Sequence, residues 1–275
     1  MGFKNFMLAT LFGSSKFATV NKIYTTEITS AAISSDNPLH QRLLTPYLKA
    51  SAWIGGHLLE VGCGEGRGIE HLMLKGTSYT AIDKIQDAIQ SLQKQYPQGT
   101  FVASHLPPLP FADQQFDSVV SFQVIEHIEN DLHFLKEIHR VLKPGGVVLL
   151  TTPNRKLSLS RNPWHIREYE AHELLALASQ VFGQADMKGI AGNQKVMVYH
   201  EENRQSVQRI MRWDVLDLQH RLPAALLKIP YEFLNRWNRN KLYQATDQAR
   251  QITTDDYAVS DDAATALDLF LIARK

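Results

Sequence analysis

The sequence holds one cysteine, Cys63, in 275 residues. A lone thiol excludes an internal disulfide framework and a cysteine metal cluster, and it favours a reducing, cytoplasmic setting. Long apolar runs are also missing. No stretch approaches the roughly 18 residues of a membrane-spanning helix, so no transmembrane segment is expected. The apolar residues 6–12 resemble a short export signal, but Thr10 interrupts them and no small-x-small cleavage site follows. Phe6 stands where N-myristoylation would require a hydroxyl residue. Charge of one sign is lacking too: 29 Lys and Arg against 28 Asp and Glu give a net charge of +1. That balance argues against a globally basic nucleic-acid binder. Internal repeats and low-complexity tracts are absent. With 44% apolar residues, the chain has enough material for one domain with decoration, or one domain plus a small subdomain.

What is present begins with His57-Leu58-Leu59-Glu60-Val61-Gly62-Cys63-Gly64-Glu65-Gly66-Arg67-Gly68. An apolar strand ends in an acid and gives way to alternating glycines. Glycines at 62, 64 and 66 remove side chains where strand turns into helix, so a ligand can lie against backbone N–H groups. A second acid, Asp83, closes the apolar run 79–82, at about the 20-residue distance that separates a glycine turn from a ribose-binding carboxylate in a βαβ nucleotide site. A dinucleotide fingerprint would need a third glycine at position 67. That position is Arg67, so a pyrophosphate ligand is not expected. A Gly-x-Gly alone is often just a tight turn, and Cys63 reads as packing beneath it.

The glycine pattern with Glu60 resembles motif I of the class I S-adenosylmethionine-dependent methyltransferases, and Asp83 resembles their ribose-binding acid. Residues 113–128, Asp-Gln-Gln-Phe-Asp-Ser-Val-Val-Ser-Phe-Gln-Val-Ile-Glu-His-Ile, resemble the fourth strand and following loop of the type 11 branch of that family. The likeness runs in register over residues 38–182 and resumes at 266–274. It implies S-adenosyl-L-methionine as cofactor, and a cofactor with an amino group and a sulfonium is well served by an acid near the loop.

Hydrophobic periodicity predicts helices over 38–50, 68–75 and 84–96, the last burying Ala88, Ile89 and Leu92. Another helix, capped by Asn130 or Asp131, carries Leu132, Leu135, Ile138 and Leu142 and stops at residues 143–146; a further helix covers 170–182. Strands are predicted at 57–61, 79–83, 100–103, 118–123, 147–152 and 266–274. Such alternation yields an α/β, doubly wound, mostly parallel sheet, with ligands beyond the carboxyl ends of the strands where strand order reverses. The resemblance implies seven strands, the last antiparallel, with a helical insertion. The organisation expected is a leader or flap at 1–37, a cofactor-binding core at 38–192, an insertion at 193–256, and a C-terminal strand at 257–275 that completes the sheet.

The cofactor site implied by the resemblance uses backbone at Gly62, Gly64 and Gly66, Glu60 toward the methionine amino group, Asp83 on the ribose, and Ile85 over the adenine. Gln123 joins this set. The family's acid after the third strand is missing: the segment reads Ala103-Ser104-His105-Leu106, leaving His105, Leu106 and nearby backbone to meet the adenine. A hydroxyl acceptor would need a base, and His127 fits because imidazole titrates near neutrality. The alternative is that Glu126 and His127 merely shape the turn. If residues 164–169 are extended, a two-residue period puts His165, Arg167 and Tyr169 on one face. Trp164, Arg167, Tyr169 and Glu126 are then acceptor-binding candidates, and His165 a second catalytic one. The structural alternative pairs Arg167 with Glu168 and His165 with a carbonyl. No metal is expected, since the histidines lack ligand spacing and nothing resembles the paired acids of a divalent-cation-dependent catechol enzyme.

The insertion shows helical spacing at Val207, Ile210, Met211, Val215 and Leu218. Basic Arg236, Arg239 and Lys241 lie among Tyr231, Phe233, Trp237 and Tyr243. This reads as a lid or pocket wall, then as a homodimer contact, then as a peripheral membrane or polyanion contact, while a solvated helix face is the plain alternative. The functional expectation is methyl transfer to a small-molecule, lipid-linked or saccharide acceptor. Against it stand a cofactor-binding scaffold without turnover, and aminopropyl transfer on the same fold, for which paired acids near the amine are missing.

Overall fold

The computed structural model describes residues 33–73, 78–212, 214, 218–245 and 247–275. Most of the expected leader, the end of the helix expected over 68–75, and Val215 lie outside them. In chain order the elements are α1 (Asn37–Ala50), β1 (His57–Val61), α2 (Ile69–Met73), β2 (Ser78–Asp83), α3 (Gln86–Gln95), β3 (Thr100–Ala103), β4 (Phe116–Phe122), α4 (Asp131–Val141), β5 (Leu142–Pro153), α5 (Ala171–Ala178), β6 (Gln184–Gly192), α6 (Gln194–Met211), α7 (Leu218–Arg221), α8 (Ala224–Ala245), α9 (Gln248–Gln251), β7 (Tyr257–Ser260) and β8 (Asp268–Arg274).

One sheet joins all the strands in the order β3-β2-β1-β4-β5-β8-β6-β7. The pairs from β3 to β5 are parallel, whereas β8 runs antiparallel to both β5 and β6. This is the doubly wound mixed sheet expected, with an eighth strand added. The addition is β7, antiparallel on β6. Sequence reading merged it into one C-terminal strand because its four residues carry almost no apolar alternation.

Side-chain alternation along the strands divides the core. Leu59, Val61, Val119, Val148 and Leu150 pack on one face with Leu135 and Ile138 of α4 and Leu174 of α5. Leu58, Ala81, Val120 and Leu149 pack on the other with Tyr47 and Ala50 of α1 and with Ile89 and Leu92 of α3. Consecutive residues on opposite faces are what a pleated strand covered on both sides requires. Each fully buried side chain of this kind contributes about 1.5–3 kcal/mol. Helix α4 starts where its cap was expected, with the Asn130 side chain accepting the His133 N–H. Helix α5 carries a capping box between Glu170 and Glu173 and ends at Ala178, short of the expected 182.

Strand order reverses between β1 and β4, whose neighbours lie on opposite sides. The chain leaves β1 into the glycine bend and leaves β4 into Gln123 and a short 3₁₀ turn, Ile125–His127. Both exits therefore open at the same end of the sheet, and the chemistry-bearing residues gather there.

Candidate active site

The bend after β1 is held by backbone: Gly62 and Cys63 N–H both donate to the Ile82 carbonyl, at 2.8 and 3.3 Å. Gly62, Gly64 and Gly66 all have positive φ, at 82°, 53° and 81°. Their surroundings differ. A Cβ on Gly62 would lie 2.4 Å from Val124, and one on Gly66 would lie 2.6 Å from Ile69 and Leu92, whereas a Cβ on Gly64 would meet nothing within 4 Å. Gly62 and Gly66 thus permit close packing, and Gly64 borders open space. The Asp83 carboxylate reaches that same point, accepting from Gly64 N–H at 2.8 Å and from Ile85 N–H at 3.0 Å.

Glu60 lies under the bend and is 1% exposed. Tyr47 donates to its Oε1 at 2.8 Å, and Tyr79 donates to its Oε2. Burial raises its pKa to about 6, against the lowering effect of the two tyrosine hydrogen bonds. Tyr47 also packs on Gly68, where any Cβ would overlap its ring. Glu60 was expected to face a cofactor amino group, directly or through water; in the structure its oxygens meet two tyrosines, neither of which carried a recognisable signal.

At the β4 exit, Gln123 adopts φ 60°, a left-handed conformation unusual for a side-chain-bearing residue. Its N–H donates to the Thr151 carbonyl at 2.9 Å. Glu126 is 1% exposed and accepts from Thr152 Oγ1 at 3.0 Å. Burial pushes its pKa up to about 7, while a protonated His165 would act in the opposite sense. The Glu126 carbonyl accepts N–H bonds from Ile166 and Arg167, folding the loop after β5 back over the turn. His127 Nδ1 lies 2.9 Å from the Trp164 carbonyl. The His127 and His165 rings meet edge to face with centroids 4.9 Å apart. His165 Nδ1 sits 2.6 Å from Glu168 Oε1.

Residues 38 positions apart thus come together, which linear spacing did not reveal: one ligand atom each of Glu126, His127 and His165 falls within a 4.8 Å set. The expectation of no metal rested on histidine spacing and on the lack of paired acids, and this fold-back bears on the first of those grounds.

The loop is a turn rather than an extended run, so Arg167 and Tyr169 part company with His165. Arg167 donates to Asp131 and to the Glu129 carbonyl, and the Tyr169 hydroxyl donates to Asp131 at 2.8 Å. Both anchor the loop to the start of α4. Trp164 presents its ring to Lys228, whose Nζ lies 3.6 Å from the centroid. At the exit of β3, His105 is exposed and Leu106 packs against the core.

A cleft of about 260 Å³ opens beside this turn. Gln123, Glu126, His127, His165 and Glu168 line one side; Arg42 of α1, Tyr199 and His200 of α6, and Tyr231, Asn235 and Arg239 of α8 line the other. Of the second group, Tyr231 and Arg239 stood out in the segment expected to form a lid or pocket wall, whereas Arg42, Tyr199, His200 and Asn235 carried no signal in the sequence. Gln123 and Glu126 are its link to the glycine bend, since Val124 between them packs on Gly62. The insertion supplies a wall through α6 and α8. Its opposite side, with Leu226, Ile229, Phe233 and Trp237, is exposed. No helix among the described residues is long and apolar enough to cross a membrane.

Residues 59–150 match a family of methyltransferase domains. A probable S-adenosylmethionine-dependent methyltransferase of Mycobacterium tuberculosis is 38% identical over 125 residues, 44% of this chain and 46% of that protein. A similarly described protein of Mycolicibacterium smegmatis is 36% identical over 159 residues, covering 56% and 62%. The chain thus spans about half of the curated relatives it matches. Among solved structures, a Thermotoga maritima protein described as an S-adenosylmethionine-dependent methyltransferase, possibly a histamine N-methyltransferase, superposes with a TM-score of 0.56 at 13% identity, covering 86% of this chain and 90% of that one. That likeness speaks to fold. The matched motifs are the strand, glycine bend and β4 exit described above, and over these residues the chain is similar to S-adenosylmethionine-dependent methyltransferases.

Proposed function

We propose that the protein transfers a methyl group from S-adenosylmethionine to a small-molecule, lipid-linked or saccharide acceptor, and does so in the cytoplasm. The observation that carries this reading is the meeting of Asp83 with Gly64 beside open space. A carboxylate there suits a ribose diol, and bare backbone suits a ligand's close approach. Gly62, Gly64 and Gly66 would hold the cofactor's methionine portion. Asp83 would accept from the ribose hydroxyls, and Ile85, His105 and Leu106 would flank the base. Glu60 supplies negative charge beneath the bend, and Gln123 marks the seam between cofactor and acceptor.

When bound, the sulfonium supplies an activated methyl group with a thioether as leaving group. The chain's own task is mainly alignment, which is worth several kcal/mol when the reacting atoms are held in line. The cleft lined by Arg42, His200, Tyr231 and Arg239 is the acceptor side of this reading. His127, with His165 beside it, promotes deprotonation of a hydroxyl acceptor.

Incubation of the full chain with methyl-labelled cofactor and fractionated cell extract tests the proposal. Label is expected in a small-molecule, lipid or saccharide fraction, at a rate depressed by Asp83→Ala. Cofactor binding without any transferable label would instead support a scaffold role.

A further inference from the structure

How His127 promotes deprotonation is answered by its neighbours. The Trp164 carbonyl can only accept, so the His127 proton sits on Nδ1. Asn162 Oδ1 accepts the Trp164 N–H at 3.0 Å, which fixes the amide and points its Nδ2 donor at His165 Nε2, 2.8 Å away. The His165 proton therefore also sits on Nδ1, where it meets Glu168. Both rings carry their lone pair on Nε2, and both are oriented through Nδ1 by a carbonyl or carboxylate. Outer partners of this kind orient metal-binding histidines.

Glu126 completes the trio. It is buried, and its carboxylate accepts one side-chain hydrogen bond, from Thr152. A buried carboxylate with so little compensation is costly to ionise. The positive groups nearest in the cleft are engaged elsewhere: Arg42 pairs with Asp268, and Arg239 with Asp36. Glu168 adds negative charge behind His165.

We propose that Glu126, His127 and His165 form a binding site for a divalent first-row transition ion on the wall of the acceptor cleft. Two imidazoles and one carboxylate favour zinc, manganese or iron over the all-oxygen surroundings of calcium and magnesium. Metal bonds of about 2.1 Å would hold such ligand atoms no more than about 4.2 Å apart, so the 4.8 Å set must contract slightly. The Asn162 amide must also swing off His165 Nε2. All three residues line the cleft, which leaves a ligand there within reach of an ion bound between them.

The consequence for substrate rests on the methyltransferase reading. An acceptor hydroxyl bound to the ion becomes more acidic, as metal-bound water does, and gives its proton to bulk water. Its oxygen then forms the new bond to the methyl carbon while the carbon–sulfur bond breaks with its electron pair on sulfur. His127 acts in this scheme as a ligand rather than as a base, and the acceptor is an oxygen nucleophile.

The test is a titration of the chelator-treated full chain with Co²⁺, followed by its visible absorption, and with Zn²⁺ by calorimetry, both without cofactor. One ion per chain is expected, with affinity reduced about tenfold or more in His165→Ala and in the near-isosteric Glu126→Gln, and retained in His200→Ala. No saturable binding by the native chain, or binding indifferent to both trio substitutions, overturns the site. Cofactor binding is measured separately on the same samples, so failure of the cofactor reading is distinguishable. Full methyl transfer to a hydroxyl acceptor after chelation would overturn the catalytic role of the ion.

Discussion

Glu60 illustrates how a single buried acid ties the fold to the site. Its pKa rises from 4.5 to about 6 because burial disfavours its charged form. A carboxyl whose folded pKa exceeds its unfolded one stabilises the fold fully below the unfolded value, and that contribution is lost as pH rises through the folded one. Between pH 4.5 and about 6 this group should remove about 2 kcal/mol of stability. Glu60→Gln abolishes the titration while retaining one acceptor and one donor for Tyr47 and Tyr79. Melting temperatures measured against pH should therefore converge on, or cross in favour of, the Gln variant as pH rises through this window. A difference that stays constant with pH would contradict the assignment.

The glycines separate in the same way. Gly64→Ala should cost about 1–2 kcal/mol from its left-handed backbone alone, keep the fold, and weaken cofactor binding about tenfold or more by projecting a methyl into the open space beside Asp83. Gly62→Ala carries the same backbone cost plus a clash with Val124, so its main effect should be on thermal stability. Calorimetry and thermal melts on the two variants check this contrast.

At the scale of elements, α8 connects the acceptor wall to the rest of the chain. Asp36, fully buried just before α1, accepts from Arg236 at 2.8 Å and from Arg239 at 3.0 Å. Asn238 reaches α6, accepting from Ser206 and donating to Asn203. Asp36→Ala leaves two guanidiniums without their partner, and because these are partly exposed the cost should be about 1–3 kcal/mol. Hydrogen exchange should rise along α8 far more than in the β1–β4 core. Uniform loss of protection would show that α8 and the core unfold together.

The loop after β5 has its own anchor in Asp131, which receives both Arg167 and Tyr169. Asp131→Ala should free the loop, remove His165 from His127, and lower turnover more than cofactor affinity. Separate measurement of the two quantities decides it.

Over the whole molecule, what was legible in the sequence followed from local demands. A bend pressed against Val124 needs glycine at 62, a strand covered on both faces needs the runs 57–61 and 147–152, and an acid closing an apolar run at 83 has few structural uses. The acceptor cleft was legible only in part: Tyr231 and Arg239 stood out as basic and aromatic residues of a possible pocket wall. Arg42 and His200 did not, because which face each helix presents is set by packing partners far away in the chain. The one-face grouping of His165, Arg167 and Tyr169 depended on an extended loop, and two N–H bonds to the Glu126 carbonyl enforce a turn there instead. The same turn created the approach of His165 to His127. The short strand β7 was hidden because pairing with β6, and not its own composition, makes it a strand.

The central claim is that the bend at 62–66 and the carboxylate of Asp83 hold one S-adenosylmethionine molecule between them. Isothermal calorimetry of the full chain with S-adenosylmethionine, native against Asp83→Ala, tests it most directly. The account predicts saturable binding at one cofactor per chain, and affinity lower by about tenfold or more in the variant with its circular dichroism unchanged. A flat titration of the native chain, or equal affinity in the two proteins, would contradict it.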